Sequence, residues 1–206
     1  MLMSERRADP AVVSVETASS AELSPTAAWS RRVRRVGGLI QLAFAAFWLV
    51  RGSVVIGGAV GSVLIALSAV AAIAVLVYAI RETAGTAPRP RSAEGTRIER
   101  DVTIATVLEF AAAFALPVIV ISAGHSDWVL PSIAITIGPL LLYLDHRVHL
   151  PRYRLVGWAL TIGPLILVAV LSGTPLIATT GIASGVLLLG TALAGFHDLS
   201  ELRRAP

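Results

Sequence analysis

Glu109 is the side chain with the clearest chemical potential, because it lies in an apolar stretch, residues 102–122, that holds no other charged residue. An ionised carboxylate is costly in hydrocarbon unless a partner compensates its charge. We therefore expect Glu109 to be protonated, or hydrogen-bonded to Gln41, Tyr143 or a threonine. Such an acid could carry protons or act as a general acid, whereas a purely structural glutamate would only join two helices.

A second group of chemically active residues lies in and near the segment LYLDHRVHLPRYR, residues 142–154. This segment contains Asp145, His146 and His149, and His197 follows the last apolar stretch on the same predicted side. Together they form a permissible ligand set for zinc or ferrous iron. Their spacing matches no recognised metalloenzyme signature such as HExxH, and solvated loops commonly hold histidine. We therefore predict a solvated turn with neither metal nor cofactor, and a metal or acid–base site is the alternative.

A repeated motif is the third feature. Residues 134–142 read AITIGPLLL and residues 159–167 read ALTIGPLIL, with seven identities in nine positions. Pro139 and Pro164 each remove one backbone donor and free the carbonyl four residues earlier, and the threonine three residues before each proline is placed to help satisfy it. The motif predicts two kinked helices that pack closely through their glycines, or two opened helices that expose polar backbone groups to a ligand.

Polar residues at a shared depth extend this feature. Glu109 lies about 12 Å along its helix from Asp101, at about 1.5 Å per residue. Measured in the same way from the same boundary, four more polar residues lie about 9–13 Å deep: Gln41, Thr136, Thr161 and Thr191. The sequence therefore predicts a ligand-binding layer around Glu109. The candidate substrate-binding residues are Gln41, Thr136, Gly138, Pro139, Tyr143, Thr161, Gly163 and Pro164.

The composition shows what kind of protein must position these residues. The chain has 206 residues, of which 55% are hydrophobic and 15% are charged. Its mean hydropathy is +0.78, and soluble proteins average about 25% charged residues. These values predict an integral membrane protein. The absence of cysteine excludes disulfides, thiolate metal sites and cysteine nucleophiles, and the absence of lysine excludes Schiff-base chemistry.

Six apolar stretches are long enough to cross a bilayer, if the short first one is extended by a turn. We therefore predict an all-α bundle of six transmembrane helices in residues 31–204, kinked in the fourth and fifth spans. Residues 1–30 read as a disordered tail rather than a signal peptide, and residues 82–100 as a flexible linker. The predicted spans are residues 36–50, 54–80, 102–122, 128–144, 155–171 and 174–196.

Arginine placement predicts the orientation. If the spans alternate in direction, sixteen of the 17 arginines fall on one side and Arg51 alone falls on the other. The positive-inside rule then places both termini in the cytoplasm. The arginine-only, alanine- and valine-rich usage favours a GC-rich bacterium, and hence an inner-membrane protein. Trp48 and Trp128 are expected at the outer interface and Trp158 at the inner one.

Two glycine pairs could mediate close helix contacts, within the bundle or in a homo-oligomer. They are Gly57 with Gly61, and Gly181 with Gly185. The net charge of +4 is explained by topology rather than by nucleic-acid binding, and the basic inner face is expected to meet anionic lipids. His125 and Asp127 are expected to cap the fourth span.

Three functions remain compatible with these features. The first is a small permease-like protein that moves a solute or a proton through the layer around Glu109. The second is a membrane-embedded enzyme acting on a lipid or isoprenoid, with Glu109 as general acid or the Asp145, His146 and His149 cluster as the reactive site. The third is a non-catalytic membrane subunit. Under the first two, Glu109 should line a cavity among the third, fourth and fifth spans. Kinks at Pro139 and Pro164 should splay the fourth and fifth helices there.

Overall fold

The computed structural model describes residues 33–82 and 93–204, and over these residues the chain folds into six long helices. All six are long and apolar enough to cross a membrane. The prediction of an all-α, six-span membrane protein is therefore confirmed. The predicted tail, residues 1–30, and residues 83–92 of the predicted linker lie outside the described residues. The helices are α1 (Gly38–Ile56), α2 (Gly58–Glu82), α3 (Ala93–Ser122), α4 (Val129–Val148), α5 (Pro151–Val170) and α6 (Gly173–Arg204).

Several helices extend beyond the apolar stretches that predicted them. A π-helical turn, Val33–Gly37, leads into α1, which continues to Ile56 rather than ending near residue 50. Helix α3 begins at Ala93, so residues 93–100 are helical and not part of a flexible linker. The reason is packing, because Ile98 is buried in the core although polar residues surround it in the sequence. Burial of one apolar side chain stabilises a helical turn that composition alone would assign to a loop.

Helices α1 and α6 make the most extensive contact among the described helices. A Cβ atom added to Gly181 would lie 2.7 Å from the Cα of Gly52, and one added to Gly185 would lie 2.5 Å from the Cγ of Leu49. The small residues Gly181 and Gly185 therefore serve contacts within the chain, the first of the two alternatives for this pair.

The other glycine pair lies at the turn between α1 and α2. Gly57 and Gly58 have φ angles of 68° and 59°, a left-handed region that glycine adopts without steric cost. A Cβ on Gly61 would lie 2.7 Å from the carbonyl oxygen of Ser53. This pair therefore shapes a tight reversal of the chain.

The six helices form two groups. In the first, α1 packs on α2 and α6; in the second, α4 packs on α3 and α5. Helix α6 joins the groups through smaller contacts with α4 and α5. The core between the groups includes Trp48, whose side chain is fully buried. The prediction that Trp48 anchors the outer interface was therefore wrong, since the indole lies among other helices, whereas Trp158 is half-exposed as an interfacial residue can be.

Ion pairs join the helices at one end of the bundle, which we call the arginine-rich end. Asp198 on α6 accepts from Arg34 at 3.2 Å and from Arg152 at 3.0 Å. Asp101 on α3 pairs with Arg147 on α4. These contacts bring the described starts of α1, α3 and α5 and the ends of α4 and α6 to the same end.

The opposite end is held by a backbone contact. The Gly173 N–H donates to Asp127 Oδ2 at 2.8 Å, so Asp127 binds the start of α6. Its expected role as a cap of the fourth span was wrong, because α4 begins without a side-chain cap. His125 stacks on Trp128, with ring centroids 4.3 Å apart.

Candidate functional site

Glu109 lines a cavity of about 380 Å³ in the half of the bundle nearer the arginine-rich end. We call this the Glu109 cavity. Its walls come from α1, α3, α4, the first turn of α5 and α6, so it lies where the two helix groups meet. The lining residues include Ile40, Gln41, Phe44, Thr106, Phe110, Leu141, Tyr153 and Leu188.

The exposures of the lining residues indicate that the cavity opens sideways, between α1 and α3. Ile40 on α1 is 52% exposed and Phe110 on α3 is 45% exposed, whereas Tyr153 and Leu188 on the opposite wall are buried. Within the described chain, α1 and α3 make no extensive contact with each other. Because apolar side chains frame the opening, it faces the hydrocarbon of a surrounding bilayer rather than water.

Four polar side chains interrupt the apolar wall: Gln41, Thr106, Glu109 and Tyr153. The Tyr153 hydroxyl donates to Gln41 Oε1 at 3.5 Å, and the Thr106 hydroxyl donates to the Val102 carbonyl at 2.9 Å. The Glu109 carboxyl has no hydrogen bond or ion pair with any described residue, so the expected bond to Gln41, Tyr143 or a threonine is not formed. It is therefore free to bind a proton or a ligand group.

A shallower groove of about 620 Å³ runs along the other side of Glu109, between α3 and α4. Asp101, Thr136, Pro139 and Tyr143 line this groove, and Glu109 belongs to both depressions. Three of the predicted binding residues therefore lie near Glu109, but in the neighbouring groove and not in the cavity itself.

The remaining members of the predicted layer lie elsewhere. Gly138 sits at the crossing of α4 and α5, where an added Cβ would meet Thr161 and the Gly157 carbonyl. Gly163 has no atom within 4 Å of its Cβ position, and Pro164 is buried. The helices therefore cross through Gly138 and Gly157, and the expected contact through Gly163 was wrong.

Helices α4 and α5 remain continuous through Pro139 and Pro164. The Thr136 hydroxyl donates to the Ile133 carbonyl at 2.7 Å, and Thr161 donates to Gly157 at 2.8 Å. These threonines bond carbonyls of their own helices other than those freed by the prolines. The alternative with opened helices was therefore wrong. The expected splaying of α4 and α5 was also wrong, because these helices are closest beside Pro139.

The candidate ligands of the alternative metal site do not come together. Asp145 is buried and its Oδ2 accepts from Arg154 Nε at 2.8 Å. His146 is exposed at the end of α4, and His149, with a φ angle of 55°, lies beyond the helix. His197 is exposed on α6. Among residues 33–82 and 93–204, no three histidines or carboxylates lie close enough to hold a metal ion.

Sequence reasoning missed two kinds of cavity residue. Tyr153 was not among the candidate residues, but it is 5% exposed and bonded to Gln41. Its burial could have been read from its spacing, because Tyr153, Val156, Gly157 and Leu160 form one buried face of α5. Phe44 and Phe110 gave no signal, since aromatic residues in apolar helices are ordinary.

The cavity offers apolar and aromatic surface, one carboxyl and a tyrosine–glutamine pair to a molecule dissolved in the bilayer. Such a set can bind an amphiphile and exchange a proton with it. Comparison with known proteins adds no assignment: no family model, no curated protein and no solved structure matches this chain.

Proposed function

We propose that this membrane protein is permease-like and binds an amphiphilic molecule, taken from the bilayer, in the Glu109 cavity. The observation that carries the proposal is a cavity of about 380 Å³ whose most exposed lining residues lie beside α1 and α3 and whose wall contains Glu109. Small-molecule sites have volumes of about 300–1,000 Å³ and are mostly apolar with a few polar groups. The cavity has that size and that chemistry.

The direction of the opening favours a ligand that is already dissolved in the membrane. A water-soluble solute would need a polar path from one end of the bundle, whereas Val36, Ile40 and Phe110 at the opening are apolar and about half-exposed. Hydrocarbon can enter such an opening without desolvating polar groups. An amphiphile could enter by lateral diffusion and present its polar group to Glu109.

The arginine distribution favours the cytoplasmic leaflet as the source of this ligand. If the spans alternate in direction, sixteen of the 17 arginines lie on the same side of the membrane as the arginine-rich end. Arginines near spanning helices concentrate on the cytoplasmic side. With that orientation, both termini are cytoplasmic in an inner membrane, and the cavity lies in the inner half of the bilayer.

The two helix groups are the moving element of the proposed carrier. Carriers commonly alternate access by rocking one bundle against another around a fixed site. The Glu109 cavity lies between the groups, and the half of the bundle beyond it is closed by Trp48, Leu130 and Ala134, which are all buried. The proposed carrier is therefore open to the inner leaflet in this conformation.

A membrane enzyme using Glu109 as general acid is less well supported. General acid–base chemistry on a lipid usually needs a second positioned group. The candidate partners Asp145, His146 and His149 do not line the Glu109 cavity, and Asp145 is paired with Arg154. Ligand binding needs only the cavity and its carboxyl.

A pair of threonine variants tests the proposed binding. Thr106 lines the cavity, and Thr103, one turn earlier on α3, is exposed outside it. Thr106→Phe should obstruct the cavity beside Glu109, and Thr103→Phe is the matched control. In lipid nanodiscs, a neutral solvatochromic dye should bind the wild type saturably, and this binding should be lost in Thr106→Phe but kept in Thr103→Phe. Equal binding to all three proteins would contradict the proposal.

A further inference from the structure

We propose that the ligand of the Glu109 cavity is a lipophilic monocation, which replaces the proton on the Glu109 carboxyl. This inference rests on the proposed function, because it assigns a ligand class to the same cavity. It adds that charge, and not apolar character alone, selects the ligand. It also predicts that binding is coupled to proton release.

The charge of the cavity wall is the first argument. Glu109 is its carboxylate, and none of the described lining residues is an arginine, a histidine or a second acid. In apolar surroundings a carboxyl group is stable when it is protonated or when a cation neutralises it. An organic cation can supply that neutralisation, whereas an anion or a neutral molecule would leave the proton in place.

The aromatic side chains are the second argument. Phe44, Phe110 and Tyr153 line the same cavity as Glu109. Aromatic faces attract cations through their quadrupole, and more strongly when the cation has lost its water shell. Bulky organic cations carry little tightly held water, so they can enter an apolar opening that excludes small inorganic cations. The cavity therefore fits a cation that is both large and lipophilic.

The exchange conserves charge within the membrane. The protonated Glu109 carboxyl releases its proton as the cation arrives, and the product is a neutral carboxylate–cation pair. No oxidant, reductant or covalent step is needed. One proton is released for each cation bound, so raising the pH should tighten binding, by about tenfold per pH unit while the carboxyl is mostly protonated.

Other titratable groups near Glu109 have different partners. The Tyr153 hydroxyl in the cavity donates a hydrogen bond to Gln41 Oε1. In the neighbouring groove, Asp101 is paired with Arg147, and Tyr143 is the only other titratable group among the described lining residues. A proton released on cation binding near neutral pH is therefore assigned to Glu109.

Tetraphenylphosphonium and tetraphenylborate provide a matched pair of probes, because they share size and shape but carry opposite charge. The full-length protein is titrated with each ion in nanodiscs, as wild type, Glu109→Gln, Thr106→Phe and Thr103→Phe. For each ion, the part of the binding that is lost in Thr106→Phe is called the cavity component. Release of protons is followed with a pH indicator in weakly buffered solution.

The expected result is that the cavity component binds the phosphonium at least about tenfold more tightly than the borate and releases one proton per cation. In Glu109→Gln this preference and the proton release should disappear, while Thr103→Phe behaves like the wild type. Glutamine keeps the size of glutamate, so Glu109→Gln should fold, and thermal unfolding checks that it does. Thr106→Phe tests the cavity with Glu109 intact.

Two results would overturn the inference in different ways. If the neutral dye binds in a Thr106-dependent manner but the phosphonium does not, the cavity binds amphiphiles and the cation assignment is wrong. If neither the dye nor either ion shows a Thr106-dependent component, the proposed function itself is wrong. Phosphonium binding that is unchanged in Glu109→Gln would also refute the proton exchange.

Discussion

Gly138→Ala should destabilise the bundle, whereas Gly163→Ala should not, although the two glycines occupy the same position of the repeated TIGP motif. A Cβ at Gly138 would lie 2.7 Å from the Gly157 carbonyl oxygen and 2.9 Å from the Thr161 backbone nitrogen. These are backbone atoms, so no side-chain rotation can relieve the contact and α4 must move away from α5. A Cβ at Gly163 meets no atom within 4 Å.

The expected magnitude follows from comparing the two variants. Overpacking a close contact costs about 1–3 kcal/mol, and replacing a helical glycine by alanine returns up to about 1 kcal/mol. The propensity gain applies to both variants, so their difference isolates the overpacking cost of about 1–3 kcal/mol. At about 2–4 °C per kcal/mol for a chain of this size, the midpoints should differ by roughly 2–12 °C.

The assay is thermal unfolding of both purified variants and the wild type in the same detergent. Gly157→Ala serves as a reciprocal test, because its Cβ would lie 2.9 Å from the Gly138 carbonyl oxygen. We expect Gly138→Ala and Gly157→Ala to unfold below the wild type, and Gly163→Ala to unfold at or above it. If Gly163→Ala is destabilised as much as Gly138→Ala, the assigned helix crossing is wrong.

Three further predictions concern other parts of the fold. Ile98→Ala should lower the unfolding free energy by about 2–4 kcal/mol because Ile98 is 3% exposed. Ile104→Ala, at a 50% exposed position, should lower it by less than about 1 kcal/mol. Similar losses in the two variants would show that the start of α3 is not packed. Asp198→Asn leaves two arginines without their carboxylate and should lower stability by about 1 kcal/mol, an effect that high salt should reduce; an unchanged unfolding midpoint at low salt would contradict it. Ser126→Cys in this cysteine-free chain should react with a membrane-impermeant thiol reagent in intact cells, and reaction only after lysis would reverse the proposed orientation.

The fold could be predicted because its main determinants are local. Six apolar stretches specify six spanning helices whatever their neighbours are, since a backbone in hydrocarbon must satisfy its own hydrogen bonds. Helix limits were less predictable where tertiary contacts decide them. Ile98 adds helical turns to α3 within a polar segment, and buried Ser200 lies in the extension of α6.

The site was harder to predict because helix spacing gives depth but not direction. Gln41 lines the Glu109 cavity and Thr136 lines the neighbouring groove, but a predicted depth does not specify which helices become neighbours. The identical motifs around Gly138 and Gly163 illustrate this limit, because one glycine forms a helix crossing and the other contacts nothing. Sequence could identify Glu109 as the exceptional residue, but the cavity beside it depends on how the two helix groups meet.

Site-resolved photolabelling is the most direct test of the proposed Glu109 cavity. A neutral long-chain alcohol carrying a diazirine is photolysed with the protein in nanodiscs, and labelled residues are identified by mass spectrometry. We predict labels on Gln41 and Leu188, which are only 7% and 1% exposed but line the cavity, and their loss in Thr106→Phe. Labels confined to lipid-facing residues such as Leu67, which is 60% exposed, would contradict it.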